Sequence, residues 1–114
     1  MFCENRCQDL DHKQYVTAFA AAMKEEYEAI AQTGLVLQID CPDLAMGRHT
    51  RHTDATDEEF LNEIGATNVE ALNAALVNVP KEQVRIHICW GNYAGENTLL
   101  LGSSNLYDHA LISF

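Results

Sequence analysis

The sequence predicts an α/β fold: part of a (β/α)8 TIM barrel, about two βα units with parallel strands. Three observations lead there. Helical and strand patterns alternate along the 114 residues, and strands joined by a helix run parallel. Each strand pattern is apolar on one face and polar on the other. The polar residues gather toward the C-terminal strand ends, where a barrel places its active site. The strands of a doubly wound open sheet, the alternative, are covered on both faces and read more uniformly apolar.

The first helix starts after Asp11, with Gln14 placed to complete a capping box. Val16, Phe19, Met23 and Ile30 follow at the spacing of one helical face. Glu25, Glu26 and Glu28 fall off that stripe and read as a solvated surface, and Gly34 ends the helix. A strand is expected over 35–40, stopped by Cys41-Pro42. Alternation puts Leu35, Leu37 and Ile39 on one face and Val36, Gln38 and Asp40 on the other. A loop of about fifteen residues comes next, an uncommon length that often signals function. It holds Gly47, Arg48, His49, Arg51 and His52.

Thr56 and Glu59 form a second capping box, and Asp57 and Glu58 suit the positive end of that helix. Leu61, Ile64, Leu72 and Leu76 supply its apolar stripe, and Pro80 stands beyond its end. Gly65 and Thr67 weaken the helix without breaking it. The second strand is expected over 84–90, with Val84, Ile86 and Ile88 on one face and Arg85, His87 and Cys89 on the other. A loop follows over 90–95.

Composition narrows the function. Net charge is −10, with seven Lys and Arg in all; such a chain lacks the basic footprint for nucleic acid or an anionic membrane surface. No apolar run approaches the roughly 18–20 residues that span a bilayer, and the start lacks the basic and apolar regions of a signal peptide. The expected location is cytoplasmic, where Cys3, Cys7, Cys41 and Cys89 stay reduced and metal binding or catalysis outranks disulfides. Cys3 and Cys7 have no second pair at ligand spacing, and the plain reading is that they carry no function.

His87-x-Cys89 is the most informative pair. Two residues apart on a strand, imidazole and thiolate share a face about 7 Å apart, and both donors suit zinc. The spacing alone is a weak signal, because a buried Cys is commonly a small hydrophobe. Asp40 ends its strand on the polar face. It either anchors the following loop or holds a substrate's ammonium group at the barrel mouth. Cys41 reads as a packed residue, with a spare thiol near the site as the alternative. Arg48, His49, Arg51 and His52 are read first as solvated loop charges and second as contacts for an anionic substrate tail.

The stretches Leu37-Gln38-Ile39-Asp40-Cys41-Pro42-Asp43-Leu44-Ala45-Met46 and Arg85-Ile86-His87-Ile88-Cys89-Trp90-Gly91-Asn92-Tyr93 resemble the C-terminal catalytic domain of cobalamin-independent methionine synthases. They are especially similar to short relatives lacking the N-terminal half, and the resemblance runs from about Tyr15 to Gly95. It implies a β/α barrel with zinc at its mouth, His87 and Cys89 as zinc ligands, and Asp40 on the amino acid substrate. It also implies a thiol acceptor and a methyltetrahydrofolate donor. Cys41 stands where the methionine synthases usually have Glu, which points to the short subgroup and leaves the acceptor open. Related zinc enzymes alkylate coenzyme M.

Family members complete the zinc site with a Glu and another Cys from later strands, and no Cys follows Cys89 here. A full barrel takes about 250 residues. Residues 1–95 are accordingly expected to be a fragment of the methyltransferase barrel, with 96–114 a divergent tail. On that expectation the isolated chain is inactive, or is a non-catalytic polypeptide that forms homo-oligomers through open barrel edges.

Overall fold

The computed structural model describes residues 10–88. The first helix, α1, spans His12–Gln32. The Asp11 carboxylate accepts from the Gln14 backbone N–H at 2.7 Å, while the Asp11 N–H donates to Gln14 Oε1 at 3.0 Å. Two of the four orphan N–H groups of a helix start are thus satisfied from within the sequence itself. At the other end the N–H of Gly34 donates to Ala31 O at 2.9 Å, with Gly34 at φ 82°. That left-handed turn is one that glycine adopts without steric cost.

Strand β1 is Leu37–Asp40, two residues shorter than expected. Leu35 and Val36 stand outside it, 64% and 50% exposed. The turn after Gly34 uses them as a connector, and Leu35 O accepts from Gln83 Nε2 at 3.4 Å. The Gln83 amide also lies 3.2 Å from Ala31 O, so one side chain ties the end of α1 to the approach of the second strand.

The expected loop contains a 3-10 turn, Pro42–Leu44, and a one-turn helix α2, Gly47–Thr50. Helix α3, Asp57–Glu59, opens on the predicted capping box: Glu59 N donates to Thr56 Oγ1 at 3.2 Å and Thr56 N to Glu59 Oε2 at 2.8 Å. Those hydrogen bonds from Thr56, the backbone one first, hold the Glu59 carboxyl below its ordinary value. The chain then widens into a π-turn, Phe60–Gly65, before α4, Ala66–Leu76. The wide turn moves the buried stripe. Phe60 is 1% exposed and Val69 is buried, whereas the expected Leu61 and Ile64 are half-buried. Hydrogen bonds that step five residues rather than four widen the turn and shift its buried side to Phe60 and Gly65.

Strand β2 is Val84–His87 and pairs with β1 in parallel, Leu37 opposite Val84 and Asp40 opposite His87. The core joins Leu37, Ile39, Cys41 and Leu44 to Val69, Leu76 and Val79, with Tyr27, Ile30 and Ala31 of α1 packed against it. Helices α1 and α4 therefore pack on each other and cover one face of the sheet. On the opposite face Gln38, Asp40, Arg85 and His87 are exposed. Mixed α/β content with two parallel strands is established, and among the described residues the packed helices α1 and α4 lie on one face of the sheet.

Not every surface assignment from the sequence holds. Glu28 is half-buried, accepting from Asn78 Nδ2 at 2.8 Å and lying 3.7 Å from Lys24 Nζ. Phe19, 38% exposed, sits at the margin of the α1 stripe, whose buried centre is Ala20.

Candidate functional site

Both strands end at the same level because the parallel ladder aligns Asp40 with His87. The ladder continues one step further, with Cys41 N donating to His87 O at 2.8 Å. Alternation sends Asp40 and His87 to the uncovered face, 59% and 56% exposed at their side chains, with Oδ1 and Nε2 3.9 Å apart. That gap exceeds a hydrogen bond and leaves each group able to meet a ligand. A residue expected to hold substrate and one expected to hold metal are therefore neighbours, although a long connection separates them in sequence. Cys89, the other expected zinc ligand, lies outside the described residues, as do Cys3 and Cys7.

Cys41 occupies the other face. It is 6% exposed and belongs to the core, which is the packed role expected of it. Burial first, and then the carboxylates of Asp43 and Asp40, push its thiol up to about 12. At neutral pH it is a protonated, apolar core side chain.

The loop cations divide into different roles. Arg48 is neither a solvated charge nor open to a substrate tail. Its Nε lies 3.0 Å from Asp57 Oδ1 and its terminal nitrogen reaches His52 O and Thr53 O at 3.0 and 3.1 Å. A guanidinium can hold an acidic side chain and two carbonyls at once, and here it clasps the loop to the start of α3. His52 packs its ring against Phe60 with centroids 5.8 Å apart. Burial, followed by the nearby His12 and Arg51 charges, lowers its pKa from the ordinary 6.5. Phe60 packs against Gly47, where an added Cβ would meet the ring at an ordinary contact distance of 3.5 Å.

Beside the strand ends lies a cavity of about 440 Å³, walled by the N-terminal half of α1, the end of β1 and one side of α4. Tyr15, Phe19, Met23 and Leu72 give it an apolar lining, while Asp40, Cys41, Asp43 and Arg51 border it at the β1 end. Asp43 is fixed there by Asn68 Nδ2, which donates to its Oδ2 at 3.0 Å. Sequence reasoning passed over Asp43 and Asn68 because their partnership joins a turn to a helix across 25 positions.

As a zinc site, the described residues offer one suited nitrogen donor, His87, with the Asp40 carboxylate beside it. Among the described residues no group of three or more His, Cys, Asp or Glu converges. The chemistry of the donors fits zinc, with one imidazole present at an exposed strand end. Nor is any described helix long and apolar enough to cross a membrane.

Comparison with known proteins adds one finding. The family model for the catalytic domain of cobalamin-independent synthase matches residues 2–100, a wider span than the motifs that carry the resemblance. No curated protein and no solved structure matches the chain.

Proposed function

The chain belongs to the cobalamin-independent synthase catalytic-domain family, and from that premise we propose that it carries part of a zinc-dependent methyl-transfer site. In this reading His87 and Cys89 hold zinc, and Asp40 holds the ammonium group of an amino acid acceptor. The barrel to which β1 and β2 belong presents its mouth at their C-terminal ends. The observation that carries the reading is the register pairing of Asp40 with His87, side by side on the uncovered face.

The residues divide the work by chemistry. Imidazole and thiolate are donors that zinc takes readily. A carboxylate a few ångströms away attracts a cationic substrate group through charge-assisted hydrogen bonds. When bound, zinc supplies one thing: it keeps an acceptor thiol ionised near neutral pH. The reaction then forms an S–CH3 bond and breaks the N–CH3 bond of a methyltetrahydrofolate, whose nitrogen keeps the electron pair and takes a proton. Two protein donors are short of the three or four of known zinc sites, so the 114-residue chain alone binds zinc weakly and does not turn over.

The test is a competition titration of zinc against a chromophoric chelator, with the native chain beside a His87→Ala/Cys89→Ala double variant. Weak zinc binding by the native chain that disappears in the variant is the expected result. Equal affinity in both would remove His87 and Cys89 from the site.

A further inference from the structure

The cavity beside β1 is lined by the consecutive residues Gln38, Ile39, Asp40 and Cys41, which alternate between the two faces of the sheet, and by no residue of β2. It therefore runs past the edge of β1 that faces away from β2, with Tyr15, Phe19 and Met23 of α1 as an apolar wall. Along a strand, the N–H and C=O groups of successive residues point to opposite sides. Cys41 N donates to His87 O at 2.8 Å, so the groups of Leu37 and Ile39 point to β2 as well. Those of Gln38 and Asp40 point to the outer edge. Among the described residues β1 pairs with β2 alone. Outward ladder groups beside apolar surface are a template for another strand.

We propose that the occupant of this edge is β2 of a second copy of the chain, added in parallel with Asp40 again opposite His87. Backbone phase favours that strand. The groups of Arg85 and His87 point to β1, which leaves those of Val84, Ile86 and Ile88 for the outer edge of β2. Gln38 and Asp40 reach these groups when they stand opposite Arg85 and His87, the register already used within one copy. The same register keeps Ile39 beside Ile86 on the helix-covered face.

Charge favours it too. The uncovered face is acidic on β1, at Asp40, and carries Arg85 and His87 on β2. A second β2 therefore sets a guanidinium and an imidazole along the free side of a carboxylate, one strand spacing of about 4.8 Å away. A second β1 would instead gather two Asp40 carboxylates on one patch with no cation between them. With the faces matched, the helices of the added copy lie on the same side as α1, where Phe19 is 38% exposed in a single copy. The contact is head-to-tail, so each addition leaves one β1 edge and one β2 edge, and assembly does not stop at two. The inference stands without zinc or methyl transfer.

The test uses the full 114-residue chain with p-benzoylphenylalanine in place of Gln38. Light and heavy nitrogen-isotope forms are mixed, irradiated and mapped by peptide mass spectrometry. Mixed-isotope crosslinks to residues 84–88 are expected, and sedimentation velocity of the native chain should show species larger than a dimer. Gln38→Pro removes one outward N–H and spares the inner ladder. It should leave the chain monomeric with an unchanged circular dichroism spectrum. Mixed-isotope crosslinks that run to residues 37–40, crosslinks confined to one isotope, or undiminished association of Gln38→Pro would overturn the proposal.

Discussion

Gly34 and Cys41 show how single residues here act through quantities that leave a measurable trace. Gly34 sits at φ 82° with open space around its Cβ position, so a side chain there costs conformation and nothing else. Left-handed backbone costs an L-residue roughly 1–2 kcal/mol, part of it offset by a stiffer unfolded chain. Gly34→Ala should therefore lower stability by about 1 kcal/mol, read as a lower urea midpoint at unchanged slope. An unchanged midpoint would mean that the turn relaxes. Cys41 ionises near 9.0 when unfolded and at about 12 when folded. Between those values the native state holds the extra proton, so the stability contributed by this group is complete below pH 9 and is lost as pH rises toward 12. Near pH 8 the peptide containing Cys41 should be alkylated far more slowly in the native chain than in urea. Equal rates would show that its burial is transient.

At the scale of elements, what could be read in advance depended on how local the determining contact was. The capping boxes at Asp11/Gln14 and Thr56/Glu59 were legible because each closes over three residues, as was the alternation that buries Leu37 and Ile39. The true face of the second long helix was not. A stripe counted at 3.6 residues per turn selects Leu61 and Ile64, and the π-turn over Phe60–Gly65 turns Phe60 inward instead. No local preference announces that widening; the ring's fit against Gly47 accompanies it. Removing a fully buried aromatic costs about 3–5 kcal/mol, so Phe60→Ala should destabilise the chain by that order and Leu61→Ala by clearly less. Thermal or urea unfolding of the two variants compares them, and equal losses would contradict the π-turn register. The start of β1 at Leu37 was equally hidden, since Gln83 reaches Leu35 from 48 residues away.

For the whole molecule, the sheet is the determining feature. Among the described residues it has two strands, each paired on one side, and Leu35 and Val36 stand exposed at its N-terminal approach. Unpaired strand edges next to apolar surface favour association. The 114-residue chain should elute from size-exclusion chromatography above its monomer mass. A monomer with a single cooperative melt would show that its edges are covered within one copy. The placement of two candidate site residues was legible: Asp40 and His87 fall on the polar face by alternation, and their adjacency follows from the parallel pairing. The clasp made by Arg48 and the Asp43–Asn68 tether were not, because each depends on a partner chosen by the tertiary fold.

The alignment of Asp40 with His87 works as a fixed gauge. The gap between the two groups is set by the spacing of neighbouring strands, about 4.8 Å, and the bond from Cys41 to the His87 carbonyl locks the gauge at its end. The helices and turns between those residues keep the strands side by side, yet none of them sets the measure. That intervening sequence is thus free to drift, lengthen or repack while the pair keeps its spacing, and changes in what the site recognises can arise without recalibrating what it grips.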